Sequence, residues 1–264
     1  MEKESVVQIG GSIKSALEGE FNIDVQSILK EAWGKSLTSR LSINLGLLFI
    51  FFLALFISFI TSSSLGGIEV VLANTETSLL LNVLVTLLIW PFMAGIEMMG
   101  VFHSVGIKTQ TKLIFAFLRR GSWVAICALL TSLMISIGFQ LLILPGIFLA
   151  VSLSLTIPLV VDKKLSPFQA IVLSIKVLRF QWIKTFSLYL ILMLALMLSF
   201  LPLILLVQTE FAIIGIVFLF FGLSYIAPLY YNVKGILYRE IFGLQLRTVE
   251  GGSLPSGSND TFSA

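Results

Sequence analysis

Apolar residues run along this chain in long, nearly uncharged blocks. They do not alternate at the period of two that marks a half-buried strand. Residues 41–60 form the first block, and residues 78–102 the second, with Glu97 as its sole formal charge. Residues 122–161 carry no charge at all. A helix crosses a ~30 Å hydrocarbon core with about 20 residues, so this third run is twice too long for one crossing. Leu144-Pro145-Gly146 lies just past its middle, and Pro-Gly is a strong turn signal. The run therefore divides into spans over 122–144 and 145–161. Residues 185–207 give a fifth span, and residues 211–233 a sixth after the connection Gln208-Thr209-Glu210. Backbone groups cannot stay unpaired in lipid, and the weak alternation of a membrane barrel is absent, so the spans are expected to be helices. The predicted fold is all-α, a polytopic membrane bundle of six transmembrane helices. Residues 21–247 make up the membrane domain. The polar tails 1–20 and 248–264 have little to bury and are expected to be disordered.

Between the spans the pattern changes to helical amphipathicity. Val25, Ile28, Leu29 and Ala32 fall at helical spacing, as do Phe168, Ile171, Val172 and Ile175. Residues 25–29 and 168–172 align without a gap and share Gln and Ile. Residues 111–120 make a weaker middle copy, with Ile114 and Phe115 in the matching places. Pro91, Pro158 and Pro228 sit in the later halves of spans two, four and six, followed by Glu97, Asp162 and Asn232. Proline frees a backbone carbonyl and kinks a helix. These features predict a three-fold pseudo-repeat, each unit being a short amphipathic interfacial helix and a hairpin with a kinked return arm. Chance matches between short apolar stretches are the competing account.

Composition agrees with a membrane: 57% of the 264 residues are apolar and 12% are charged, against about 25% charged in a soluble domain. Charge then supplies an orientation. All 17 Lys and Arg fall before the first span, between spans two and three, between four and five, or after the sixth. The three opposite connections carry no Lys or Arg; the first holds Glu69 and Glu76 and the last holds Glu210. Basic residues mark the cytoplasmic side, so both termini and the two longer connections are expected there. No cleavable signal peptide is expected, because the chain opens Met1-Glu2-Lys3-Glu4 and the first long apolar run begins at Leu41. Arg119, Arg120, Lys176 and Arg179 are expected to meet anionic headgroups, with Trp33, Trp123 and Trp182 at interfacial depth. Packing of the amphipathic segments under the bundle is the alternative. Membrane lipids are the expected partners, and no nucleic acid is implied.

The run Leu144-Pro145-Gly146-Ile147-Phe148 through Pro158-Leu159-Val160-Val161-Asp162, with Leu165, Ala170 and Ser174, resembles a family of bacterial inner-membrane proteins. The family has six spans and no assigned activity. It is related to the membrane regions fused to glycerophosphodiester phosphodiesterase domains. The resemblance covers spans three to five and, loosely, residues 24–33. It implies a multi-pass protein of the bacterial inner (cytoplasmic) membrane. No segment here is long or polar enough to be the phosphodiesterase domain, so no catalytic residue is carried over.

Little in the chain points to catalysis. The single His103 lies at the end of span two and the single Cys127 inside span three, so they cannot build a metal site, and no Gly-rich phosphate loop occurs. No metal, cofactor or catalytic residue is assigned, and the chain is read as a non-enzyme. His103 is expected at the interface and Cys127 as a small buried apolar residue. Asn82 and Gln140 are expected to bond to neighbouring helices. Glu97 is the candidate functional residue, because ionisable groups inside spans often mark a solute or proton path. It also lies near the basic residues of the next connection, where it would tie the bundle together. Two functions follow from these readings: a lipid-facing scaffold or envelope-integrity factor, and a transporter or channel for a small solute or lipid-derived compound.

Overall fold

A computed structural model describes residues 4–249. In chain order the elements are β1 (Glu4–Ile9), α1 (Ile13–Glu18), α2 (Val25–Ser64), α3 (Ile68–Ala73), α4 (Thr75–Ser104), α5 (Gly121–Leu141) and α6 (Ile143–Ser152). There follow α7 (Thr156–Asp162), α8 (Pro167–Leu178), α9 (Trp182–Leu206), α10 (Ala212–Phe242) and β2 (Leu244–Val249). Short 3-10 turns at Thr111–Phe115 and Leu118–Arg120 precede α5, and one at Arg179–Gln181 precedes α9. The fold is all-α apart from one antiparallel ribbon of β1 and β2. Among the described residues six helical stretches are long and apolar enough to cross a membrane, one in each predicted span. The chain is therefore an integral, multi-pass membrane protein.

The chain divides into two compact units. The first comprises Met1–Asn44, Met98–Gln110 and Lys176–Ala264, and the second Leu45–Glu97 and Thr111–Ile175.

The first amphipathic segment is not a separate interfacial helix. It runs straight into span one as a single helix of 40 residues. The polar stretch at the junction does not break it, because Ser36, Thr38, Ser39 and Ser42 each donate a hydroxyl to a carbonyl three or four residues back. The middle copy is two 3-10 turns instead of an amphipathic α-helix. Its backbone at Ile114 lies directly on Gly95 of α4, where a Cβ has no room. Only the third copy, α8, is a helix of its own before the span it leads.

The turn between spans three and four falls at Leu142, three residues before Pro145. Pro145 occupies the first turn of α6, where a missing N–H costs nothing because no partner carbonyl precedes it. Leu142 is extended there, with φ −162° and ψ 154°. Span four is then interrupted at 153–155, between α6 and α7. Pro158 lies just beyond and cannot donate to the Ser154 carbonyl. Two side chains of the same unit take up carbonyls at the ends of the broken helix. Ser174 of α8 donates to the Ser152 carbonyl at 2.6 Å, and Arg120 donates to the Val160 carbonyl at 2.8 Å. By contrast α4 and α10 continue through Pro91 and Pro228.

β1 and α1 lie within the tail 1–20 expected to be disordered, and residues 1–3 lie outside the described residues. β1 pairs with β2 from Glu4 opposite Val249 to Ile9 opposite Leu244. A capping box between Ser12 and Ser15 starts α1. The Gly11 N–H donates to the Arg239 carbonyl at 3.0 Å, which docks the segment on the end of α10. Of the expected C-terminal tail, Thr248 and Val249 belong to β2, and the remainder lies outside the described residues.

Candidate functional site

The first unit holds a buried polar cluster. It is assembled where α4 and α10 lose all contact with the surroundings. Residues 98–104 of α4 and 231–238 of α10 are buried without interruption, so every face of each helix is covered there. A polar group in such a place needs a partner. Gly100 and Gly235 make the approach possible. A Cβ on Gly100 would run into the Tyr231 carbonyl, and one on Gly235 into the Gly100 backbone. The two helices cross with no side chain between them.

Beside this crossing the side chains bond in series. Ser36 on α2 donates its hydroxyl to the Ala32 carbonyl at 2.7 Å, so its oxygen is left to accept. Asn232 Nδ2 donates to it at 3.0 Å, which turns Asn232 Oδ1 toward His103 Nδ1, also at 3.0 Å. The order of donors assigns the tautomer: neutral His103 carries its proton on Nδ1 and leaves Nε2 to accept. The Thr109 hydroxyl stands 2.7 Å from Nε2, and Ser42 Oγ lies 3.3 Å beyond it. Four segments are tied together through a single imidazole.

A second arrangement lies one to two turns further along α10. Arg239 forms a fork with Glu31, Nη1 to Oε1 at 2.7 Å and Nη2 to Oε2 at 2.9 Å. Nη1 also donates to the Ser104 carbonyl at the end of α4 at 2.6 Å. Nε and Nη2 both donate to Glu240 Oε1, at 3.0 and 2.6 Å. A guanidinium has five N–H donors, and all five are in use. The Arg239 backbone carbonyl accepts from both Gly11 and Gly243 at 3.0 Å. One residue therefore clasps α2, α4 and the N-terminal segment to the end of α10.

The residues singled out in the sequence have varied environments. Glu97 is buried on α4, 4% exposed and six residues past Pro91. His103 is buried in the cluster, where the Asn232 and Thr109 partners offset its desolvation. Arg120 is half-buried and caps the end of α7, where the helix leaves its last carbonyls without internal donors. Arg119, Lys176 and Arg179 are exposed, with the Arg179 guanidinium 5.0 Å from the Phe180 ring centroid. Pro91, Pro158 and Pro228 are buried. Asn82 bonds the Ser78 carbonyl of its own helix and not a neighbouring helix, since it lies on an exposed face. Gln140 is also exposed, and Cys127 is fully buried. Asp162 ends α7 and pairs with Lys163 at 3.0 Å.

Sequence reasoning does not reveal the Arg239–Glu31 fork or the roles of Ser36 and Thr109. The one available signal was Asn232, a polar residue four positions after Pro228 in an otherwise apolar span. Comparison of the chain with protein-family models, with curated proteins and with solved structures finds no match.

Proposed function

We propose that the chain is a non-enzymatic scaffold of a bacterial inner membrane, with both termini cytoplasmic, that serves envelope integrity at the lipid surface. The closed hydrogen bonding of the polar cluster carries this reading. His103 has both ring nitrogens engaged, and Arg239 has all five donors engaged, by groups of the protein itself. A solute path needs polar groups that turn toward cargo. Groups that satisfy one another hold helices at a set spacing, and the glycine crossing of α4 and α10 supports the same role. The exposed Arg119, Lys176 and Arg179 suit anionic headgroups. The resemblance to six-span inner-membrane proteins without assigned activity is in keeping with this reading.

The test uses Glu31→Gln and Arg239→Lys in cells that lack the native chain. Protein abundance and envelope resistance to detergent are expected to fall together. Wild-type abundance with lost resistance would overturn the scaffold reading.

Buried Glu97 favours a second reading, a transporter or channel for a small solute, because an ionisable group in an apolar span is costly to keep. Under that reading Glu97→Gln abolishes complementation and leaves abundance unchanged. Under the scaffold reading both fall.

A further inference from the structure

The first unit carries an open cavity of about 540 Å³ between the start of α2 and the first three turns of α9. Its volume lies within the usual range of ~300–1,000 Å³ for small-ligand sites. One wall is the segment that leads into α2, with Asn22, Ile23 and Asp24, together with Leu29 in the second turn of α2; the other carries Lys184 and Ile191. The walls are held to each other. Gln181 Oε1 accepts from the Ile23 N–H at 2.9 Å, and Gln181 Nε2 donates to the Phe21 carbonyl. Gly19, at φ 77°, turns the chain out of α1 against the Phe180 ring, and that left-handed conformation suits glycine. The cavity is therefore shaped before any ligand arrives, which lowers the ordering cost of binding.

The lining has a polar rim and an apolar floor. Lys184 donates to Asn22 Oδ1 at 2.6 Å, which leaves two of its three ammonium protons for a ligand. Asp24 Oδ1 accepts from the Gln26 N–H at 3.1 Å, and Oδ2 remains available. Both charged residues are exposed. Ile191 lies seven residues beyond Lys184, about 10 Å further along the helix axis at 1.5 Å per residue. α9 belongs to a membrane-crossing stretch, so the rim stands at its basic end and the floor faces toward its apolar middle.

We propose that this cavity binds one phospholipid whose headgroup joins a phosphate to a primary ammonium. The phosphate sits on Lys184, the ammonium on Asp24, and the start of an acyl chain along Leu29 and Ile191. Charge complementarity selects this class. A rim with one cation and one anion matches a zwitterion, whereas a purely anionic headgroup meets the Asp24 carboxylate. A quaternary ammonium has no N–H for Asp24, and the lining has no aromatic ring to hold it by cation–π contact.

This inference rests on the lipid-facing reading and names its lipid. The test is native mass spectrometry of the full chain, titrated separately with phosphatidylethanolamine, phosphatidylcholine and phosphatidylglycerol. One phosphatidylethanolamine is expected to bind at least about 5-fold more tightly than either other lipid. Asp24→Asn should erase the preference over phosphatidylcholine, and Lys184→Gln should weaken binding of phosphatidylethanolamine by a similar factor. Both residues are exposed, and unchanged melting temperatures verify that the variants fold. Equal binding of the three lipids, or unaltered binding by both variants, overturns the proposal. If phosphatidylglycerol alone raises the melting temperature, through Lys176 and Arg179, the cavity assignment fails and the lipid-facing reading stands. If no lipid changes it, both fail.

Discussion

Two kinds of polar contact hold the first unit, and they respond differently to substitution. The Arg239 fork is a charge-assisted pair in which the planar guanidinium matches two carboxylate oxygens. Lysine keeps the charge and loses the fork. Arg239→Lys should therefore lower stability by about 1–3 kcal/mol, the range for hydrogen bonds to charged groups. A double-mutant cycle with Glu31→Gln should show a coupling of at least about 1 kcal/mol. Additive losses in detergent-melting experiments would mean that the pair contributes nothing of its own. Asn232→Leu acts by the other route, since it strips the partner from His103 Nδ1 and the donor from Ser36. A buried group without a partner costs about 1–3 kcal/mol. The variant should melt below wild type, and Asn232→Leu combined with His103→Phe should recover part of the loss, because two apolar groups leave fewer orphans. A double variant less stable than either single one would refute that account. Asn232 is legible in the sequence as a polar residue after a proline. Its partners are not, because they are a serine on α2 and a histidine on α4, and hydrogen bonds between distant segments leave no periodic trace.

Among the elements, the helices are legible and their interruptions are only partly so. Lipid demands about 20 apolar residues per crossing, and that constraint is written into local composition. Breaks depend on which backbone donors are dispensable. Pro145 looks like a turn residue and is a first-turn residue of α6, whereas Pro158 lies just past the true interruption of span four. The side chains that serve this interruption include Ser174, one of the residues that carry the family resemblance. Ser174 is thereby accounted for by a backbone carbonyl that needs a donor. Glycines show the same dependence on context. Gly34 lies within α2 with nothing within 4 Å of where its Cβ would be. Gly34→Ala should therefore stabilise by about 0.5–1 kcal/mol, through lower backbone entropy in the unfolded chain. Gly235 has the Gly100 backbone in that place. Gly235→Ala must push α4 and α10 apart and should destabilise by about 1–3 kcal/mol or more. Paired melting curves of these two substitutions should move in opposite directions. If Gly235→Ala is neutral, the backbone crossing is wrong.

For the whole molecule, the six crossings and the distribution of charge lead to one further prediction. The structure reproduces the number and order of spans, and against the predicted spans the basic residues fall only in the two terminal segments and in every second connection, which six crossings bring to one side. A chain of six crossings returns both ends to the same side, so a single labelled loop fixes the orientation of all. The proposed orientation, with Lys and Arg in cytoplasmic loops, predicts Lys108 inside and Ser64 outside. Both positions are exposed, and the one native cysteine, Cys127, is fully buried and gives little background. Ser64→Cys should react with a membrane-impermeant thiol reagent on intact cells. Lys108→Cys should react only after permeabilisation. The reverse pattern would invert the molecule and move the Asp24–Lys184 cavity to the opposite leaflet. Labelling of both sites on intact cells would mean an even number of crossings between them, which contradicts α4 as the sole membrane-length helix from 65 to 107. Because α4 lies alone between the two sites, the experiment tests its crossing directly and with it the alternation on which every other loop assignment depends.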